Sequence, residues 1–225
     1  MTDRRAIVGD AVALGLGTGV YALSFGALSV ASGLSMWQTQ ALSLLMFTGA
    51  SQFALIAVVA SGGSAAVAIA TSTLIGTRNS FYGFAMAPVL RPRGLTRFVA
   101  AQATIDESTG MAARYEEDRA SARLAFWSTA AAIYVLWNLG TLIGALGAGL
   151  VDDPNAFGLD AAAPAAFLAL VWPRLTSWPM RTVAIVSLVA AVALAPFLPA
   201  GLPVLLAGAG GIVVGLVLGI RAGEE

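Results

Sequence analysis

A chain of 225 residues that is 58% apolar and only 11% charged departs sharply from the roughly 25% charged content of soluble domains, so it is read as an integral membrane protein with no soluble domain. Net charge is zero and all 12 basic residues are arginine, which leaves no basic stripe for nucleic acid. Cysteine and histidine are absent, excluding disulfides, thiolate nucleophiles, histidine metal sites and imidazole relays; proton coupling would have to run through Asp or Glu.

Each crossing needs about 20 apolar residues, which gives room for about seven. The reading is an all-α, polytopic membrane helix bundle. It is one transporter domain over residues 1–225, with helical units at 11–90 and 124–221 joined by an amphipathic or re-entrant segment at 91–123.

Arg4 and Arg5 precede an apolar run, but Asp3, Asp10 and many glycines argue against a signal peptide, and residues 11–31 are taken as the first span. Gly15, Gly19 and Gly26 give it a smooth packing face. Residues 35–38 read as a cap with an interfacial tryptophan, and 39–60 as the second span. There Thr48, Ser51 and Gln52 share a helical face beside Gly49 and Ala50, small residues where a helix can unwind to expose amides and carbonyls.

The third apolar stretch, 65–90, contains Gly76-Thr77-Arg78-Asn79-Ser80. A guanidinium near a bilayer midplane costs about 2.5–3.5 kcal/mol on insertion scales. A broken or re-entrant element near Gly76–Ser80 resolves this, because irregular backbone at depth is tolerated where it lines a cavity. After the arginine-rich residues 91–97, Asp106 and Glu107 lie either at a solvated helix end or turned into the bundle. Residues 124–150 form a long span with aromatic anchors Trp127, Tyr134 and Trp137 and glycines at 140, 144 and 147. An acidic loop at 152–160, a short apolar stretch at 161–172 and a terminal hairpin at 183–220 follow. Gly211, Gly215 and Gly219 line the last helix.

Arginine placement makes the N-terminus, 91–123, 174–181 and Arg221 cytoplasmic. Three crossings from Arg4 would leave Arg91 outside, so some element must cross an even number of times. The favoured solution is the break at Gly76–Ser80; the alternatives are a crossing at 98–113 or an external Arg4 and Arg5.

Phe47-Thr48-Gly49-Ala50-Ser51-Gln52-Phe53, Arg78 with Tyr82-Gly83 and Ala87-Pro88, Asp106-Glu107-Ser108, and Leu159-Asp160 with Ala165-Ala166-Phe167-Leu168 occur in an order and spacing that resembles the AzlC-type branched-chain amino-acid permeases. Phe25-Gly26-Ala27 and Gly33-Leu34-Ser35 fit the same pattern. The family's usual Asn-x-Arg-His is replaced here by Gly76-Thr77-Arg78-Asn79. The resemblance implies a multi-pass exporter of leucine, isoleucine and valine, with methionine a further candidate, in the bacterial inner membrane. It also implies a small AzlD-like membrane subunit as partner. No cofactor or metal is expected.

A zwitterionic cargo needs donors for its carboxylate, an acceptor for its ammonium and an apolar wall. Gly49, Ser51, Gln52, Arg78 and Asn79 are the candidate substrate-binding residues, Asp106 and Glu107 the candidate ammonium or proton-coupling residues, and Phe47, Phe53, Phe81 and Phe84 candidate walls. The competing structural readings are an Arg78 ion pair with Asp106 or Glu107, and an interhelical hydrogen bond for Gln52. An enzyme is not expected without a nucleophile or metal set. The rival functions are a non-transporting scaffold, for which the glycine ridges argue, and a transporter or channel for another small solute.

Overall fold

A computed structural model describes residues 4–148, 168, 171–172 and 175–222, and these are helical, with no strand among them. Three of the helices are long and apolar enough to cross a membrane: α1 (Arg4–Ala31), α8 (Arg119–Ala148) and α10 (Leu202–Ala222). Between α1 and α8 lie α2 (Met36–Leu45), α3 (Ala50–Ala60), α4 (Ala65–Gly76), α5 (Arg78–Leu90), α6 (Thr96–Ala103) and α7 (Asp106–Ala113). Helix α9 (Trp178–Leu194) precedes α10. The expectations for 152–160 and most of 161–172 lie outside the described residues.

Helices α1 and α8 form the spine, side by side and running in the same direction. Ile7 packs on Ala125, Gly15 meets Ala132 and Leu136, and Gly26 meets Thr141 and Ala145. Glycine makes this approach possible. A Cβ built on Gly26, Gly140 or Gly144 would overlap the backbone carbonyl oxygen of Thr141, Gly19 or Leu23 respectively. The α8 glycines at 140 and 144 therefore face α1 of the same chain rather than an outside partner. Asp118 opens α8, accepting from the Ser121 hydroxyl and the Ala120 amide, which hold its carboxyl below the usual carboxylate range.

Because α1 and α8 are parallel, the chain between them must traverse the bundle once more in the opposite direction. The stretch 39–60, expected to be a span, does not make that traverse. Helix α2 enters from the end where α1 finishes, with Ser43 donating to Thr141 at 3.1 Å and Phe47 reaching Tyr134 further back along α8. The chain then reverses through 46–49, where Gly49 adopts a positive φ of 60° that a side chain would oppose. Helix α3 returns beside it, its Phe53 stacking on Tyr21 and meeting Phe25. The two helices form a re-entrant hairpin of 10 and 11 residues, each about half the length a crossing requires.

The traverse is made by α4 and α5 together. Ser64 caps α4 through the Val67 amide, α4 packs against α3, and the chain breaks at Thr77, which joins α4 to α5. Helix α5 ends beside the start of α8, where Arg119 donates to the carbonyl oxygens of Val89 and Pro88 at 2.9 Å. The predicted break near Gly76–Ser80 is present, but the helix on its far side carries on instead of folding back.

Residues 91–123 contain a second re-entrant hairpin, entering from the opposite end. Ala100 and Ala103 of α6 pack with Met86 and Phe126. The chain turns at Thr104 and Ile105, and α7 brings Met111 back to Ile7 and Arg114 to within 3.6 Å of Asp10.

At the chain's end, α10 starts beside the outer end of α4, with Gly201 near Val67, and Gly208 lies near Leu74 further along. Two glycines of its ridge are met within the chain, Gly211 by Ser187 and Val183 and Gly215 by Val183, whereas Gly219 has nothing within 4 Å. Arg4, Arg5, Arg91, Arg93, Arg97, Arg114, Arg119, Arg123 and Arg181 thus gather at one end of the bundle, as the even crossing number requires. Arg78 stands apart at mid-depth.

Candidate functional site

The tips of the two hairpins meet in the middle of the bundle, and each is closed by the same device. Gly49 N–H donates to Gln52 Oε1 at 3.0 Å, while Gln52 Nε2 donates to Leu42 O at 3.0 Å. In the second hairpin Ile105 N–H donates to Ser108 Oγ at 3.1 Å, and that hydroxyl donates to Ala103 O at 2.7 Å. In both, a polar side chain in the first turn of the outgoing helix ties that helix's leading amide to the end of the incoming one. Gln52 and Ser108 are both fully buried. Both polar groups of Gln52 are engaged in holding the hairpin, the structural alternative considered for it.

Arg78, at the start of α5, joins the tips. Its Nη2 lies 2.6 Å from Asp106 Oδ2 and donates to Thr48 O at 3.2 Å. The second carboxylate oxygen, Asp106 Oδ1, accepts from Tyr82 OH at 2.7 Å. A charged pair at mid-depth is tolerable only when it is paired and hydrogen-bonded in this way. Gln102 adds a further tie, donating from α6 to the carbonyl oxygens of Leu44 and Leu45 at the end of α2.

Between the tips, α1 and α8 lies a cavity of about 330 Å³, at the small end of the about 300–1,000 Å³ typical of small-molecule pockets. Phe47, Thr48, Gly49 and Ala50 line it from the first tip, and Ile105, Asp106 and Glu107 from the second. Helix α1 contributes Leu14, Gly17, Thr18 and Tyr21, and α8 contributes Ile133 and Trp137. The starts of α3 and α7 both face this space. The first-turn amides of Ala50 and Ser51, and of Asp106 and Glu107, have no acceptor within their own helices, and the helix dipoles add partial positive charge there. The cavity thus offers amide donors, two carboxylates and a largely apolar wall.

Beside the cavity, Tyr21, Phe25, Phe53 and Trp137 form a packed aromatic cluster, with Tyr21 and Phe53 centroids 4.8 Å apart and Phe25 and Trp137 centroids 6.0 Å apart. Tyr21 OH, Trp137 Nε1 and Thr48 Oγ1 are buried without a hydrogen-bond partner.

Of the seven site residues expected from sequence, Gly49, Asp106 and Glu107 line the cavity, and Arg78 reaches its edge through Asp106 and Thr48. Ser51, Gln52 and Asn79 are not on the lining; the buried Ser51 Oγ and Asn79 Oδ1 lack partners. Phe47 lines the cavity and Phe53 is in the core behind it. Phe81 and Phe84 are 70% and 76% exposed, outward-facing rather than pocket walls. Trp137, read as an interfacial anchor, is 4% exposed and on the cavity wall. Tyr21, Thr18 and Ile133 were not picked out from sequence. The available signal was helical phase, since Tyr21 follows Gly17 by one turn and Trp137 precedes Gly140 by one turn.

A profile of the family described as AzlC protein matches residues 13–151, a span that contains most of α1, both hairpins, the Arg78–Asp106 pair and α8. The chain belongs to the AzlC family. No curated protein matches it, and no solved structure matches it. Membership in AzlC, a permease family and not an enzyme class, gives the chain a function in membrane transport and makes it a multi-pass membrane protein.

Proposed function

We propose that this AzlC protein exports branched-chain amino acids across the bacterial inner membrane as the large subunit of a two-component secondary transporter whose other member is a small AzlD-like membrane protein. The observation that carries the reading is the cavity where the two hairpin tips meet. It combines anion-binding helix starts with carboxylates and an apolar wall, the three features a zwitterion with a hydrocarbon side chain requires. In the proposed pose the cargo carboxylate lies against the first-turn amides of α3, near Arg78. Its ammonium faces Asp106 and Glu107, which are also the groups available for a coupling proton. The branched side chain meets Leu14, Phe47 and Ile133. Ser51 and Asn79 take part only if α3 and α5 shift during transport. By the positive-inside rule the arginine end is cytoplasmic.

The scaffold alternative loses part of its support, because Gly140 and Gly144 of α8 and Gly211 and Gly215 of α10 pack on α1 and α9, while Gly147 and Gly219 have nothing within 4 Å. Transport of another small solute through the same cavity is the remaining alternative. Flux of labelled leucine, isoleucine, valine and methionine in proteoliposomes, with the chain alone and with the small subunit, at two pH gradients, tests the proposal. Movement that rises with the partner and follows the proton gradient supports it. Absence of movement for all four under every condition refutes it.

A further inference from the structure

We propose that the groove between α6 and α8 binds an anionic phospholipid, whose phosphate lies on the Arg91, Arg119 and Arg123 cluster at its mouth and whose acyl chain runs inward past Trp127 to Tyr134. The inference goes beyond the cargo cavity and does not rest on what that cavity carries. The groove has a volume of about 530 Å³. Trp127, Ala130, Ala131 and Tyr134 of α8 form one wall, and Phe98, Val99 and Gln102 of α6 form the other. Phe98 and Val99 are 75% and 59% exposed, so a hydrocarbon chain laid along them covers apolar surface that α8 leaves open.

The charge at the mouth decides what kind of lipid fits. Arg119, Arg123, Trp127, Ala130 and Tyr134 recur at intervals of three and four residues and so form one stripe along α8. The two guanidinium groups stand at the arginine end of that stripe, in line with the apolar wall. Arg119 is held there by the carbonyl oxygens of Val89 and Pro88, neutral acceptors that leave its charge uncompensated. Arg91, which caps α5, and Arg123 are near enough for their charges to repel it. None of the three arginines makes an ion pair among the described residues, and Asp118 beside them is taken up by Ser121 and Ala120. A phosphate relieves this repulsion, because its oxygens accept from more than one guanidinium at once. Helix α6 starts at the same end and adds the positive pole of its dipole. The positive-inside rule asks for arginines at this end and for an anionic leaflet beside them; it does not ask for two of them in line with a groove.

The length of the groove fits an acyl chain. From Arg123 to Tyr134 the stripe rises about 16 Å, close to the roughly 15 Å of hydrocarbon in one leaflet. Its inner end is closed where Tyr134 and Gln102 donate to carbonyl oxygens at the end of α2. Phe47 of the first hairpin tip lines both this groove and the cargo cavity, so the end of the chain bears on the tip that walls the cavity.

The test titrates phosphatidylglycerol and phosphatidylcholine with identical acyl chains onto the delipidated full-length chain in detergent, with bound lipid counted by native mass spectrometry. The wild type takes up phosphatidylglycerol at lower concentration than phosphatidylcholine. Arg123→Gln weakens phosphatidylglycerol binding about five-fold, the effect of one arginine beside an anionic headgroup, and leaves phosphatidylcholine binding unchanged. Ala131→Trp, which fills the groove with every charge in place, weakens binding of both lipids. Arg181→Gln removes a charge from the same end of the bundle but on α9, and changes neither. Equal wild-type affinity for the two lipids overturns the inference, as does an equal loss in Arg123→Gln and Arg181→Gln, or unchanged binding in Ala131→Trp. Glycerol 3-phosphate binding as tightly as the lipid would make the cluster a site for free phosphate esters, and displacement of the lipid by the small AzlD-like subunit would make the groove a protein interface; either result also overturns it.

Discussion

Gln52 Nε2 donates to the carbonyl oxygen of Leu42, ten residues earlier, at 3.0 Å, and this bond holds α3 folded back on α2. Leu42 O also accepts from the Met46 N–H at 2.9 Å at the end of α2, so the Gln52 amide takes its second lone pair. Ser108 serves the second hairpin through Ala103 O. Replacing Gln52 by Ala removes the partner of the Gly49 N–H, and replacing Ser108 by Ala removes that of the Ile105 N–H, so each strands an amide at depth and costs about 1–2 kcal/mol. Thermal unfolding in detergent should show a lowered midpoint for each. The double variant should lose close to the sum, since the two residues share no partner. Wild-type stability in both single variants would mean that the hairpins are held by packing alone.

The glycines of the spine make a graded prediction. A methyl at Gly26 or Gly144 meets the backbone of the facing helix, which cannot rotate out of the way as a side chain can. Gly26→Ala and Gly144→Ala should therefore cost about 1–3 kcal/mol by forcing α1 and α8 apart. Gly147, one turn beyond Gly144, has nothing within 4 Å of its would-be Cβ, and Gly147→Ala should be neutral or slightly stabilising because alanine favours the helix. Equal effects at Gly144 and Gly147 would contradict the parallel packing of α1 and α8.

Much of this arrangement can be read in the chain itself, and the parts that cannot have definite reasons. Arginine placement favoured an even number of crossings before Arg91, over a crossing at 98–113 or an external Arg4 and Arg5, and Arg78 at depth favoured a broken helix; the helix does break at Thr77, and α5 ends beside the start of α8. The identity of the element that fails to cross was not legible. An apolar run over 39–60 is long enough for one span, and hydropathy cannot separate one long helix from two short ones folded together. The missed signal was local: Gly49 followed by Gln52, and Ile105 followed by Ser108, each put a polar residue in the first turn of a helix that begins inside an apolar run. Phe81 and Phe84 were misread for a different reason. In a bilayer an apolar side chain gains little by facing inward, so hydrophobicity stops reporting which face is buried.

The Arg78–Asp106 pair makes a prediction about stability apart from cargo. With side-chain exposures of 27% and 18%, the pair is shielded enough that removing one member strands a charge, at a cost of about 3–5 kcal/mol for a fully buried pair and less here. Arg78→Leu and Asp106→Leu should each lower the thermal midpoint markedly. Combining them should recover much of the loss, because no unpaired charge remains. Arg78→Lys should be intermediate, since an ammonium lacks the planar fork that reaches Asp106 and Thr48 O together. Additive losses in the double variant would show that the two residues act independently.

The absence of cysteine from the whole sequence gives a direct test of chain direction, because a single introduced thiol is the only site a maleimide can label. Trp37 and Ser61 flank the first hairpin and both are exposed. If α2 and α3 fold back, cysteines at these two positions are labelled by a membrane-impermeant reagent from the same side; if 39–60 crosses, they are labelled from opposite sides. Leu95 and Glu117 flank the second hairpin and are likewise exposed, so Leu95→Cys and Glu117→Cys report on α6 and α7 in the same way. The expected pattern in right-side-out and inverted vesicles is Trp37→Cys with Ser61→Cys on one face and Leu95→Cys with Glu117→Cys on the other. With the arginine end cytoplasmic, the second pair reacts only from the inside. A split within either pair would turn that hairpin into a crossing and remove the meeting of tips on which the Arg78–Asp106 link depends.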